Sequence, residues 1–175
     1  MLGVGRSSLR EALKGLMFLG LIRARPGYGT YVQSSLGRVI SRHFQWMLLL
    51  QEIKYPELYE IRRILGPAVA SLAARRATPE DIHQMEAAVR GMKENFQRPE
   101  KYLECDIAFH EVFAKAPKNM AMQALLKMMH DALVDGRRRV LPLIDNFESN
   151  HRRHERIYRA IAQRDAKAAR KAVLG

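Results

Sequence analysis

The chain holds one cysteine, Cys105, in 175 residues. That excludes an internal disulfide and suits a reducing cytoplasm. No apolar run approaches the length of a membrane span, and the N-terminus lacks the charged, apolar and small-residue blocks of a signal peptide, so neither a membrane partner nor secretion is expected. Strand-like alternation is confined to one short stretch near the start, and nothing from 39 to 175 reads as a strand. Acidic residues are also scarce, 18 against 30 Lys and Arg, for a formal net charge of +12. With 47% hydrophobic and 27% charged residues, the remaining class is a soluble globular protein.

The basic excess is unevenly placed. Residues 1–42 hold seven Lys or Arg against one acidic residue, Glu11, and residues 137–171 hold eleven against four. The middle is therefore close to neutral. The first block is the electrostatic footprint of a nucleic-acid module, because each cation near a phosphate releases counterions. The second fits either a solvated helix face or a further nucleic-acid surface.

From Leu2 to Val32 the sequence reads as one amphipathic helix followed by a two-stranded ribbon. Leu9, Ala12, Leu13, Leu16 and Met17 recur at three- and four-residue spacing, Ser7 or Ser8 is placed to cap, and Gly20 stops the helix. Arg6, Ser7, Ser8, Arg10 and Lys14 cluster on its first turns, where N–H groups, hydroxyls and guanidinium groups suit phosphates and guanine edges. The ribbon, LIRARPGYGTYV, carries Arg23 and Arg25 just before a Pro-Gly-Tyr-Gly tip. On composition alone this is a basic hairpin beside a helix.

This stretch resembles the second half of the winged helix-turn-helix of the GntR family of bacterial transcription regulators. The likeness rests on Arg6, Arg10, Glu11, Ala12, Leu13, Leu16, Gly20 to Ile22, Arg25 to Gly27, Gly29, Thr30 and Val32. Gly5 departs from it, standing where the family usually has serine. The resemblance implies double-stranded operator DNA as a partner, met through Arg6, Ser7, Ser8, Arg10, Arg25, Gly27 and Gly29. A winged helix-turn-helix has two helices before its recognition helix, whereas one residue precedes Leu2. A half-module of this size cannot bury a sufficient core, so either the sequence is a truncated product or the half-module packs against the rest of the chain or another copy.

After a polar linker, Gln33 to Gly37, the chain reads as helices. An apolar linking helix contains Trp46, a long helix spans 57–76 with a kink expected at Pro67, and further helices are signalled by Thr78-Pro79, Pro99, Asn119, Asn146 and Asp165. The expected fold class is all-α: a partial winged helix-turn-helix (1–33), a linker and linking helix (34–55), and an antiparallel bundle of six or seven helices (56–175). Residues 57–76, 106–119 and 154–169 resemble the FCD ligand-sensing domain of FadR-type regulators within the same family. Gly66 departs from that pattern, standing where the family commonly has glutamate, and is expected to weaken the helix and lose an ion pair.

Asp106 and His110 stand four apart, so a helix projects both from one face. By itself the pair also fits a solvated helix face; Ala108, Phe109 and Phe113 around it indicate burial. The FCD resemblance implies a divalent metal held by Asp, His, His and a further His, of which the first three fall on Asp106, His110 and His154. The fourth falls just past Gly175, so the expected ligand set for Zn²⁺, Mn²⁺ or Ni²⁺ is incomplete. His151 is an alternative ligand, less favoured than a surface role; His43, His83 and His130 have no partner at ligand spacing. The resemblance further implies that Arg62 holds the carboxylate of a small organic or sugar acid, and that the protein is a homodimer.

The resulting expectation is a cytoplasmic, non-enzymatic, effector-responsive transcription regulator. The runner-up is a truncated sensor domain that dimerises and binds metal without reading DNA. A metal-dependent hydrolase is the third reading; it is disfavoured because Glu111 and Glu155 directly follow their histidines and point elsewhere on a helix.

Overall fold

The computed structural model describes residues 3, 5–32, 46–47, 50, 54–140 and 146–174. Among these, the elements are helix α1 (Arg6–Phe18), strands β1 (Ile22–Arg25) and β2 (Gly29–Val32), and helices α2 (Tyr55–Arg76), α3 (Pro79–Glu94), α4 (Pro99–Lys115), α5 (Met120–Val140), α6 (Phe147–Ala162) and α7 (Ala166–Leu174). The described residues thus form an all-α protein with one small ribbon, and the bundle behind the ribbon holds six described helices. The linking helix expected within 34–55, and His43 with it, lie largely outside the described residues.

Local chemistry sets most boundaries. Gly20 has φ 72°; its N–H donates to the Met17 carbonyl and that of Leu21 to Leu16, both at 2.9 Å, the two bonds of a Schellman stop. Gly27 (φ 78°) and Gly29 (φ 103°) turn the ribbon, which pairs Ile22 with Val32 and Arg25 with Gly29. The expected Ser7 or Ser8 cap is not formed. α1 begins at Arg6 with Gly5 at the N-cap and no side-chain cap bond, because the helix starts one residue before the serines and places them within its first turn. Farther on, Asn119 accepts from the Met122 N–H at 3.1 Å, Asn146 from Ser149 at 2.8 Å and Asp165 from Ala168 at 2.9 Å. Each caps the helix expected to follow it.

α2 is the central helix, packing on α7, α6, α5 and α4, while α3 packs on α4 and α6. Its continuously buried stripe of small residues, Ala70, Ala73 and Ala74, lets the other helices approach closely. Gly66 belongs to the same surface. A Cβ there would lie 2.8 Å from Val173 Cγ1, so this glycine makes room for α7 against α2. The helix runs through Gly66 and Pro67 without interruption: its departure from the family pattern serves a close helix contact. By contrast, α1 has no buried residue; its apolar face, including Leu9, Leu16 and Met17, remains exposed among the described residues.

Gly91 plays the equivalent part between α3 and α4. An added Cβ would sit 2.6 Å from Cys105 Sγ but 3.6 Å from Cys105 Cβ. Gly91→Ala should therefore destabilise the protein, since overpacking costs about 1–3 kcal/mol against roughly 1 kcal/mol gained in helix propensity. In a Cys105→Ala background the obstruction is gone and the same substitution should stabilise. Urea melts of the four proteins read this reversal of sign, and a loss of the same size in both backgrounds would refute the contact.

Asp81 is buried at the start of α3, accepting from the Thr78 N–H at 2.7 Å, the Thr78 hydroxyl at 2.8 Å and Lys118. Burial pushes its carboxyl up, but the bonds from Lys118 and Thr78 prevail and hold it below its ordinary value. A carboxyl depressed in the folded state contributes stability that is present above its unfolded pKa, about 3.9, and lost as pH falls through the folded value. Melting temperature should accordingly fall on acidification below about pH 4. Asp81→Asn should lower stability at pH 7 and shrink that acid-dependent loss; an unchanged acid limb would remove Asp81 from the account.

Candidate metal centre

Helix geometry places Asp106 and His110 one turn apart on α4, and α6 brings His154 across to them. All three are buried, with relative exposures of 1%, 9% and 3%. His154 Nε2 lies 3.1 Å from His110 Nε2 and 3.2 Å from Asp106 Oδ1, and His110 Nε2 lies 3.8 Å from that same oxygen. Nitrogen and oxygen donors bound at about 2.0–2.2 Å around one ion stand roughly 3.0–3.5 Å apart, so the triangle has the dimensions of a facial donor set. The sequence-expected trio is brought together as one group.

The surrounding bonds orient these donors. His154 Nδ1 lies 2.7 Å from the Asn150 carbonyl, which can only accept. Nδ1 therefore carries the proton, and the Nε2 lone pair faces His110 and Asp106. The Asn150 amide donates to Tyr102 Oη at 3.1 Å and approaches Asp106 Oδ1 at 3.5 Å, and Tyr102 donates to the Phe147 carbonyl. Phe109 closes one side, its ring edge-on to both histidines at 5.6 and 4.8 Å. The residues present fit a divalent ion: two neutral imidazole nitrogens and a carboxylate oxygen, dry on one side and supported by outer hydrogen bonds.

The other side opens into a cavity of about 220 Å³. Arg62, Arg63 and Arg153 line it together with His110, His154 and Asn150, over walls that include Tyr59, Phe113 and Leu133. Its lining contains three arginines and no carboxylate. Arg62 Nη2 lies 2.8 Å from His110 Nε2 and 3.2 Å from Nδ1.

Two histidines behave differently from expectation. His130, without a partner at ligand spacing along the chain, stands with its ring 5.2 Å from that of His110 and lines the cavity. The only sequence signal for it was a histidine in an otherwise apolar run of α5. His151, expected at the surface, is buried edge-on against Phe96 at 5.5 Å, because α6 turns this residue toward α3. Burial pushes its imidazole below the usual histidine range. His83 is exposed. Glu111 is exposed, and Glu155 accepts from Arg159 at 2.7 Å, so neither stands beside the histidines as a general base.

The FCD domain family matches residues 57–175. The chain is 32% identical to the HTH-type transcriptional regulator LutR of Bacillus subtilis (strain 168), over 98% of this chain and 80% of that protein. The chain belongs to the GntR family of transcription regulators and carries its FCD domain. The galactonate operon transcriptional repressor of Escherichia coli (strain K12) is 30% identical over 97% of this chain and 76% of its own length. Among solved structures, Streptococcus agalactiae GntR aligns with a TM-score of 0.70 at 26% identity, covering 99% of this chain and 80% of that one. These GntR-family relatives are transcription regulators and not enzymes.

In this GntR-family chain, Arg6, Ser7, Ser8 and Arg10 are exposed on the first turns of α1, and Arg25, Gly27 and Gly29 are exposed at the ribbon tip. Arg25 lies over the Tyr31 ring, 5.9 Å from its centroid, while Tyr31 Oη donates to the Tyr28 carbonyl at 2.7 Å. The tip is thereby stiffened by its own side chains. No described helix is long and apolar enough to cross a membrane.

Proposed function

We propose that this protein is a cytoplasmic, dimeric transcription regulator whose helical domain senses a small carboxylate metabolite through a bound divalent metal. In this reading residues 1–33 form the C-terminal part of a winged helix-turn-helix, 34–55 the linker and linking helix, and 56–175 the effector domain. The observation that carries it is the convergence of Asp106, His110 and His154 at the wall of a cavity lined by three arginines and no carboxylate. Such a cavity favours an anion, and a bound Zn²⁺, Mn²⁺ or Ni²⁺ would supply a Lewis-acidic site for its oxygens. Arg62 is the side chain assigned to the carboxylate. A cavity of about 220 Å³ accommodates a small organic or sugar acid, and the relative named for a galactonate operon makes galactonate a reasonable first probe.

Arg6, Ser7, Ser8 and Arg10 meet operator DNA with α1, and Arg25, Gly27 and Gly29 meet it with the ribbon. A two-fold dimer requires half-sites related by the same dyad. An effector changes operator affinity only if it binds the two dimer geometries unequally.

The exposed apolar face of α1 favours one alternative, a metal-binding, dimerising sensor domain that does not read DNA. Fluorescence anisotropy with DNA from upstream of the protein's own gene separates the two, using this chain and one extended by any in-frame upstream codons, each over a salt series. Specific binding by this chain, with a steep salt slope, supports the regulator reading. Binding by the extended chain alone assigns the sensor role to the 175-residue chain, and specific binding by neither overturns DNA recognition.

A further inference from the structure

We propose that Arg62 and the divalent ion compete for the same nitrogen, so that loading the ion releases this guanidinium into the cavity and couples metal binding to anion binding. This rests on the metal-site reading above and adds an order of assembly to it.

The argument begins at His110 Nε2. An imidazole nitrogen offers one in-plane lone pair, and at this nitrogen three groups converge: His154 Nε2 at 3.1 Å, Asp106 Oδ1 at 3.8 Å and Arg62 Nη2 at 2.8 Å. The first two are donors to a common ion. The third is a cation that stays protonated at every accessible pH. An ion about 2.0–2.1 Å from Nε2 would share that lone pair with an N–H group at hydrogen-bond distance, which sterics and like-charge repulsion both forbid. Binding of the ion and the Arg62 to His110 contact therefore exclude each other.

Arg62 is anchored on α2 while His110 is on α4, and the space beside it is the cavity, whose lining favours an anion. A guanidinium displaced from His110 remains within that space and can pair with a carboxylate there. Ion and anion then assist one another, and by linkage each raises the affinity of the other by the same factor. The proposal assigns Arg62 opposite effects on the two ligands: it weakens the ion and strengthens the anion. A residue that simply supports the site would weaken both on removal.

The test measures Mn²⁺ affinity by competition against a metal-indicator dye, with and without acetate as the simplest carboxylate, for the unaltered chain and for Arg62→Met and Arg62→Gln. Thermal melts check that each variant folds. The expected result for the unaltered chain is tighter Mn²⁺ binding in acetate. Both variants should bind Mn²⁺ about 10-fold more tightly without acetate, within the usual range of coupling between sites, and lose the acetate effect. Mn²⁺ affinity that is unchanged or lower in a folded variant overturns the competition while leaving the metal site standing. Indifference of the unaltered chain to acetate overturns the coupling without any variant. If the unaltered chain binds none of Mn²⁺, Zn²⁺ or Ni²⁺, the metal reading fails and this inference fails with it.

Discussion

His154→Ala is expected to weaken binding of Mn²⁺ or Zn²⁺ by more than about 100-fold, since even the outer partners of a metal site typically control 10–100-fold. His154 is the better choice among the three donors because its tautomer is set by a single bond, Nδ1 to the Asn150 carbonyl. Its ring contributes one of two nitrogens in the triangle, so its removal leaves a histidine and a carboxylate one turn apart, a common surface pairing with little affinity. Stability provides a second readout. A metal held only by the folded state at 100 times its dissociation constant stabilises by about 2.7 kcal/mol; the unaltered chain should therefore melt later with metal, and the variant should not. His83→Ala, at an exposed position, controls for adventitious binding. A metal-dependent rise in melting temperature that persists in His154→Ala would remove this residue from the site.

Arg10→Ala should cost operator binding about 1–3 kcal/mol if the guanidinium reads a base edge, or weaken all sequences evenly and lower the salt slope by about 1 if it meets a phosphate. Arg6 and Arg10 are exposed and one turn apart at the start of α1, where the backbone N–H groups of the first turn add to their attraction for phosphate. The same titration with Arg6→Ala, on specific and random DNA, separates base reading from backbone contact. Neither change touches the bundle, so the metal-dependent shift in melting temperature should be retained in both. Parallel loss of DNA and metal binding would indicate misfolding, and undiminished DNA binding in both variants would exclude this face of α1.

The two arginines and the metal donors differ in how much of their setting is legible along the chain. Asp106 and His110 are paired by helical spacing alone, because four residues is one turn wherever the helix lies. Thr78, Asn119, Asn146 and Asp165 announce helix starts for a similar reason: a cap bond spans three residues and needs no distant partner. His154 had to come from family resemblance, since it lies 44 residues beyond His110 and no local rule connects them.

By itself, then, the sequence determined the helices and their ends, the glycine-turned ribbon, the concentration of basic charge near the N-terminus and the face shared by Asp106 and His110. All of these follow from backbone geometry and neighbours within a turn or two. Only the tertiary structure decided that His130 stands against His110, that His151 is buried against Phe96, that Arg62 reaches the nitrogen a metal would need, and that Gly66 and Gly91 are required by Val173 and Cys105. Each of those contacts joins separate elements of the bundle, and depends on how far each helix is rotated about its axis and how closely its neighbours approach. Those quantities are set by packing the whole bundle at once, and no spacing along the chain encodes them.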